Sequence, residues 1–450
     1  MLQVPMNGPA GRNVHDRLPV RGGFLLAIGV LALCAPLAQA QTQPAAKSNA
    51  APITQENNTA SDEAGSDDSD RVNESYQPKG LEAGSFLFFP KIEVDGLYNS
   101  NVFAQEMDKK SDTILRISPD FQFRSRFTRH ELNIAAKADR YIYDTYSSDN
   151  RTDLSTNIDG RLDIERSWEA TLNLDAYKRG EDRGSPDAVA GVKPTPTYGM
   201  TANVGTRKEQ GRFVFAANGK LSRRTYDNVE TSTNTVVNNH DRDRWEYVGQ
   251  LRGEYAVYDV VSIVGVGELN QRDYDDRLDD NGYARSSNGF RLETGVSVDI
   301  SQIIKGDITA GYFEQDYDDA RFTSPSGFAF RARLNWTPSR MTVVVPSLER
   351  EVDETISQNV SSLVRTSGGV LVRHELQRNL VLTASGNVRH EKYEGTSERA
   401  WNYETRLRGT YAFSPEFFTA GEVAYRDRNS TRVNSSYEQW TMLLRVGARI

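Results

Sequence analysis

Apolar and polar positions alternate with a period of two over most of this chain. Trp245, Tyr247, Gly249, Leu251, Gly253, Tyr255 and Val257 interleave with Glu246, Gln250, Arg252 and Glu254. Trp401, Tyr403, Thr405, Leu407, Gly409, Tyr411 and Phe413 do the same against Asn402, Glu404, Arg406 and Arg408. Successive side chains of a strand point to opposite faces, so alternation of this length predicts strands with one apolar and one polar face. Helical spacing is nowhere sustained. Eighteen such segments begin near Lys91, Thr113, His130, Asp153, Trp168, Thr197, Arg212, Arg244, Val260, Gly289, Ile304, Gly327, Met341, Asn359, Asn379, Ala400, Glu416 and Tyr437.

The connections alternate in length. Thr128-Arg129, Glu209-Gln210-Gly211, Tyr258-Asp259, Pro338-Ser339 and Ser414-Pro415 are short, whereas 99–112, 178–196, 226–243, 272–288 and 315–326 are long and polar. Tight turns at one end and long loops at the other describe an up-and-down antiparallel meander. Strands of ~9–11 residues suffice to cross a bilayer, and outer-membrane barrels pair short periplasmic turns with long external loops. The fold class expected is therefore all-β: a transmembrane barrel of about eighteen strands. An even count places both of its ends on the periplasmic side. The last strand carries Trp440, Met442, Leu444, Val446, Ala448 and Ile450 on one face, an ending of the type read by the barrel-assembly machinery. Alternation alone does not distinguish this barrel from a soluble sandwich or propeller. What favours the membrane is Arg and Glu on one face of every strand, with aromatics near the ends of the other.

The first 40 residues differ. Arg12, Arg17 and Arg21 precede an apolar run from Phe24 to Ala35, and Ala38-Gln39-Ala40 fits a cleavage site, so 1–40 reads as a signal peptide. The only cysteine, Cys34, lies within it. Residues 41–85 are polar and acidic, with the run Ser66-Asp67-Asp68-Ser69-Asp70, and read as a disordered periplasmic segment; the barrel occupies 86–450. The whole chain has a formal charge of −8, and losing 1–40 takes it to −10. That argues against nucleic acid or an anionic membrane surface as the main partner.

The segments Gly96-Leu97-Tyr98-Asn99-Ser100-Asn101-Val102-Phe103, Ser111-Asp112-Thr113-Ile114, Ile117-Ser118-Pro119 and Gly160-Arg161-Leu162 resemble the putative outer-membrane β-barrel porin type 2 family over roughly 86–450. The resemblance implies a barrel after a short polar N-terminal region. It also implies frequent encoding beside exopolysaccharide or capsule genes, and no catalytic residues.

The residues themselves offer little catalytic chemistry. His130, His374 and His390 each precede a glutamate, but neighbours in a strand face opposite ways, and His240 stands alone. No spacing fits a metal site, nucleophile elbow or phosphate loop, so neither enzyme activity nor a cofactor is expected. The acid clusters Asp273-Tyr274-Asp275-Asp276, Asp279-Asp280 and Asp316-Tyr317-Asp318-Asp319 read as solvated loop starts. The polar face is richer. Arg124, Arg126, Arg161, Arg252, Arg291, Arg331, Arg333, Arg365, Arg373, Arg389, Arg406, Arg408, Arg445 and Arg449 fall on phases assigned to the lumen. Guanidinium forks bind carboxylates, so these arginines either meet an anionic polymer or pair with Glu131, Asp163, Glu246, Glu254, Glu293, Glu404 and Glu422. With Glu404 the nearest acid on their face, Arg406 and Arg408 are expected to leave net positive charge. The function expected is an outer-membrane channel or assembly component for export of an anionic exopolysaccharide; the alternative is a general or small-solute diffusion porin, and a barrel enzyme of the outer membrane, disfavoured by the missing nucleophile constellation, ranks third. Its expected partners are outer-membrane lipid, lipopolysaccharide and periplasmic polysaccharide-export proteins.

Overall fold

The computed structural model describes residues 76–300 and 303–450; the expected signal peptide and the acidic segment up to residue 75 lie outside the described residues. Long strands run β1 Phe86–Asn99, β2 Asp112–Ser125, β3 Glu131–Tyr143, β4 Arg151–Glu165, β5 Trp168–Gly180 and β6 Pro196–Gln210. Next come β7 Phe213–Tyr226, β8 Arg244–Tyr258, β9 Val261–Tyr274, β10 Ser287–Ile300, β11 Ile304–Tyr317 and β12 Ser326–Ser339. The series ends with β13 Thr342–Glu354, β14 Ser362–Gln377, β15 Leu380–Tyr393, β16 Arg399–Ala412, β17 Phe417–Ser430 and β18 Tyr437–Arg449. Each pairs antiparallel with the next, and β18 returns to β1 from Lys91↔Arg449 to Asn99↔Thr441. The eighteen strands thus form a closed barrel whose first and last strands begin and end at the short-turn end. Closure matters because a backbone group left unpaired in hydrocarbon costs several kcal/mol.

The barrel is inside-out relative to a soluble protein. Leu251, Leu269 and Leu444 are among its most exposed side chains, Leu444 at 75%, while Asp95 and Glu391 are fully buried. Exposed apolar surface this extensive marks a lipid-facing wall. Aromatic residues concentrate at both ends of that wall. Tyr98, Trp245, Tyr312, Trp401 and Trp440 lie toward the long loops; Phe123, Phe215, Tyr255, Trp336 and Tyr411 lie toward the short turns. Rings partition to the two membrane–water interfaces, so these belts set the height of the hydrocarbon band.

Two departures from a regular cylinder shape the lumen. First, residues 76–85, expected within the disordered segment, are built into the barrel. Leu81–Ala83 pairs with the start of β1, and Tyr76 packs on Val381, Ala412 and Phe418, which face inward at the short-turn end. The Tyr76 carbonyl accepts a hydrogen bond from Arg449 at 3.0 Å. Inward apolar side chains are rare in a wet lumen, and the tyrosine is what covers them.

Second, β12 and β13 separate. Their pairing runs from Ser339↔Thr342 to Arg331↔Glu349 and stops, whereas β13 and β14 stay in register to Glu354↔Ser362. The long-loop end of the β13–β14 hairpin therefore curls inward, with β14 still paired to β15 as far as Leu363↔Tyr393, and Val352 and Val364 pack on Phe313 and Ala329 of β11 and β12. A Cβ on Gly295 or Gly311 would lie 1.9 or 1.8 Å from the carbonyl oxygens of Ile308 and Leu292, so only glycine permits that approach of β10 to β11.

Candidate functional site

The lumen is lined by ion pairs on the strand face opposite the aromatic belts. Arg161 meets Glu131 at 3.0 Å and Asp163 at 3.1 Å; Arg252 meets Glu254 at 2.7 Å and Asp307 at 2.9 Å. Arg291 meets Glu293 at 2.7 Å, and Arg331 meets Glu349 at 2.9 Å. Arg365 lies 2.5 Å from Asp353 and 3.3 Å from Glu351. Glu246 pairs with Arg244 at 2.8 Å. Arg445 reaches Asp95 at 2.8 Å and Glu93 at 3.1 Å, while Asp95 also accepts from Arg116. Arg373 is buried on the inward face of β14, and Arg333 is exposed on that of β12. Arg124 lies exposed near the short-turn rim, over the Phe89 ring at 4.8 Å. Arg449 donates to the carbonyls of Pro415 and Tyr76, each at 3.0 Å.

Two expectations are corrected. Arg126 does not lie on a strand: it falls past the end of β2 and pairs at the rim with Glu82 at 2.9 Å. Two-residue alternation from Arg124 carries the phase beyond the point where the chain turns. Nor is Glu404 the only acid that serves Arg406 and Arg408. Glu422 of β17 takes Arg406 at 2.9 Å and Arg408 at 2.8 Å, and Glu404 takes Arg406 at 3.0 Å. The second acid comes from the neighbouring strand, and the alternation of one strand carries no information about it.

The inserted hairpin is held by lumen side chains that replace the missing wall pairing. Arg272 of β9 donates to the Val352 carbonyl at 2.8 Å and to the Glu354 carboxylate. Tyr274 and Tyr317 donate to the same carboxylate at 2.8 and 2.9 Å. On the other side of the split, Arg291 donates to the Phe330 carbonyl at 3.3 Å. Loop 355–361 at the hairpin tip is gripped by Arg285, which donates to the carbonyls of Thr355, Ser357 and Val360 at 2.5, 3.1 and 3.1 Å. Arg285 also donates to Asp279 at 2.6 Å.

Loops from around the rim converge on this tip. Thr355 donates to Asp187 of the β5–β6 loop at 2.6 Å, and Arg432 of the β17–β18 loop donates to Ser357 at 3.0 Å. The β5–β6 loop is itself tied at several points, with Arg183 on Asp149 at 2.7 Å, Arg242 on Glu181 at 2.5 Å and Arg426 on Asp182 at 3.2 Å. Segments of several loops thus meet at the hairpin tip.

The remaining sequence candidates serve structure. Asp279 accepts backbone N–H groups of Asn281 and Tyr283 as well as Arg285, Asp275 pairs with Arg223 at 2.5 Å, and Asp280 accepts from Asn238. The Arg321 guanidinium beside Asp319 holds that carboxyl well below the usual carboxylate range. His390 packs on Trp401 with ring centroids 4.6 Å apart and planes tilted by 49°, and His374 bonds Thr342 at 3.0 Å. Missed from sequence were Tyr76, Arg272, Arg285 and the hairpin. One signal was present: Phe313 and Ala329 are apolar on the inward phase, which a wet lumen does not favour.

A family model described as putative beta-barrel porin 2 matches residues 74–450. No curated protein matches the chain. Among solved structures, the outer membrane protein OpdK from Pseudomonas aeruginosa is 10% identical, covering 81% of this chain and 99% of its own, with a TM-score of 0.41. OccK2 (OpdF) of the same organism, in complex with glucuronate, is 10% identical over 81% of this chain and 98% of its own, with a TM-score of 0.43.

Proposed function

Because this chain belongs to the putative beta-barrel porin 2 family, we propose that it is an outer-membrane channel for small polar solutes. The observation that carries this reading is the hairpin inside the barrel. A polymer in transit needs a continuous bore, whereas here β13–β14 packs on the inner face of β11 and β12 and several loops grip its tip at the long-loop end. The remaining path runs between fixed guanidinium and carboxylate groups, which suits solutes that exchange water for hydrogen bonds. Export of an anionic exopolysaccharide, the expectation drawn from the family's gene context, is the weaker reading for the same reason. In the proposed orientation the short turns and both barrel ends face the periplasm, and the aromatic belts meet outer-membrane lipid and lipopolysaccharide.

Swelling of proteoliposomes in isotonic solutes of graded size tests this directly. Rates are expected to be substantial for a monosaccharide or an amino acid and to fall to background by the size of a hexasaccharide. Equal rates for the hexasaccharide and the monosaccharide would overturn the small-solute reading in favour of a polymer passage.

A further inference from the structure

On the lumen face of β15–β17, guanidinium outnumbers carboxylate. Glu391 is shared by Arg389 and Arg428, Glu404 by Arg406 and Arg426, and Glu422 by Arg406 and Arg408. Arg389 is the loosest member. Its closest carboxylate oxygen is Glu391 Oε1 at 3.8 Å, too long for a hydrogen bond, and its side chain remains 21% exposed. Directly opposite it on β16 is Asn402. The Oδ1 of Asn402 accepts from Arg428 at 2.8 Å. Since arginine only donates, that bond fixes the amide's orientation and leaves Nδ2 as the free end. This Nδ2 is shut from solvent and has no hydrogen-bond partner among the described residues. A weakly held cation and an orphan donor therefore stand side by side on one wall of the passage.

We propose that Arg389 and Asn402 form an anion seat for the carboxylate of a small organic acid in transit, an inference that rests on the channel reading above. A carboxylate matches the planar guanidinium fork with two oxygens and supplies the acceptor that Asn402 Nδ2 lacks. It takes Arg389 without displacing a tighter ion pair, since Glu391 keeps Arg428 at 2.8 Å. Charge sets the class further. Glu391 and Glu404 lie close by and repel a second negative charge, so the seat suits a monoanion better than a phosphate dianion.

The test uses the full chain in planar bilayers at low ionic strength, with sodium gluconate added to one side of a KCl current. Wild type is expected to show saturable block by gluconate. Arg389→Gln is expected to weaken that block about tenfold, the scale of one charge-assisted hydrogen bond, with anion-over-cation permeability falling as well. Asn402→Asp gives Arg389 an internal carboxylate and is expected to abolish block while the barrel still shows heat-modifiable migration. The Asn402 variant keeps the test decisive if Arg389→Gln does not fold. Unchanged block in either folded variant would overturn the seat while leaving the channel intact. A wild-type protein that passes no KCl current would instead sink the channel reading.

Discussion

Replacing Arg285 with alanine is expected to turn a small, steady conductance into a larger, fluctuating one. The Arg285 side chain is only 1% exposed and fastens the β9–β10 loop to the hairpin tip through Asp279 and the carbonyls of Thr355, Ser357 and Val360. Its loss leaves a buried carboxylate without its counter-ion and three acceptors without their donor. Breaking a buried ion pair from one side costs about 3–5 kcal/mol. The barrel ladder makes no use of Arg285, so the loss falls on the hairpin tip and not on the wall. Loop 355–361 should become open to protease at the same time. Unchanged conductance together with an unchanged digestion pattern would show that the tip is held by other contacts.

Asp95→Ala should have the largest effect on stability. Asp95 is fully buried beside the seam where β1 meets β18, and it accepts from Arg445 at 2.8 and 3.1 Å and also from Arg116. One carboxylate thus neutralises guanidiniums from the strands on both sides of β1. Removing it leaves two inward cations facing each other, and Glu93 compensates only for Arg445. A loss of about 3–5 kcal/mol is expected. The temperature at which the folded band converts to the unfolded one on a denaturing gel should fall clearly, and less for Asp95→Asn, which keeps an acceptor. An unshifted conversion temperature for the alanine variant would mean that the seam is held by its backbone ladder alone.

Much of the wall is legible from period two. The segments expected to begin at Trp168, Arg244, Ile304 and Tyr437 begin at those residues in β5, β8, β11 and β18. β1 starts at Phe86 and not near Lys91, because Phe86-Leu87-Phe88-Phe89-Pro90 has no polar positions to reveal an alternation. β14 starts at Ser362 and not at Asn359, since Asn359 adopts a positive φ of 59° in the turn. Which face is wet is decided by closure of the sheet, and a strand read alone is symmetric in that respect. The pairing of Glu422 with Arg406 and Arg408 depends on register between strands, which a single strand's pattern does not carry. The inserted hairpin is harder still. Val352 and Val364 sit on the phase that elsewhere faces lipid, so their alternation is intact while their environment is reversed. That reversal comes from β13 parting from β12, an event in tertiary packing with no signature in the periodicity of β13 or β14 themselves.

That reversal gives the most direct test of a channel constricted by its own hairpin. Leu348 and Val352 lie on the same strand at the same phase, yet Leu348 is exposed on the lipid wall and Val352 packs on Phe313 and Ala329 inside. Single cysteines placed at each position after removal of Cys34, labelled with a fluorophore and reconstituted with brominated lipid, read the two environments. Strong quenching at position 348 and near-background quenching at position 352 is the result expected; equal quenching at both would put the hairpin in the wall and contradict the constriction.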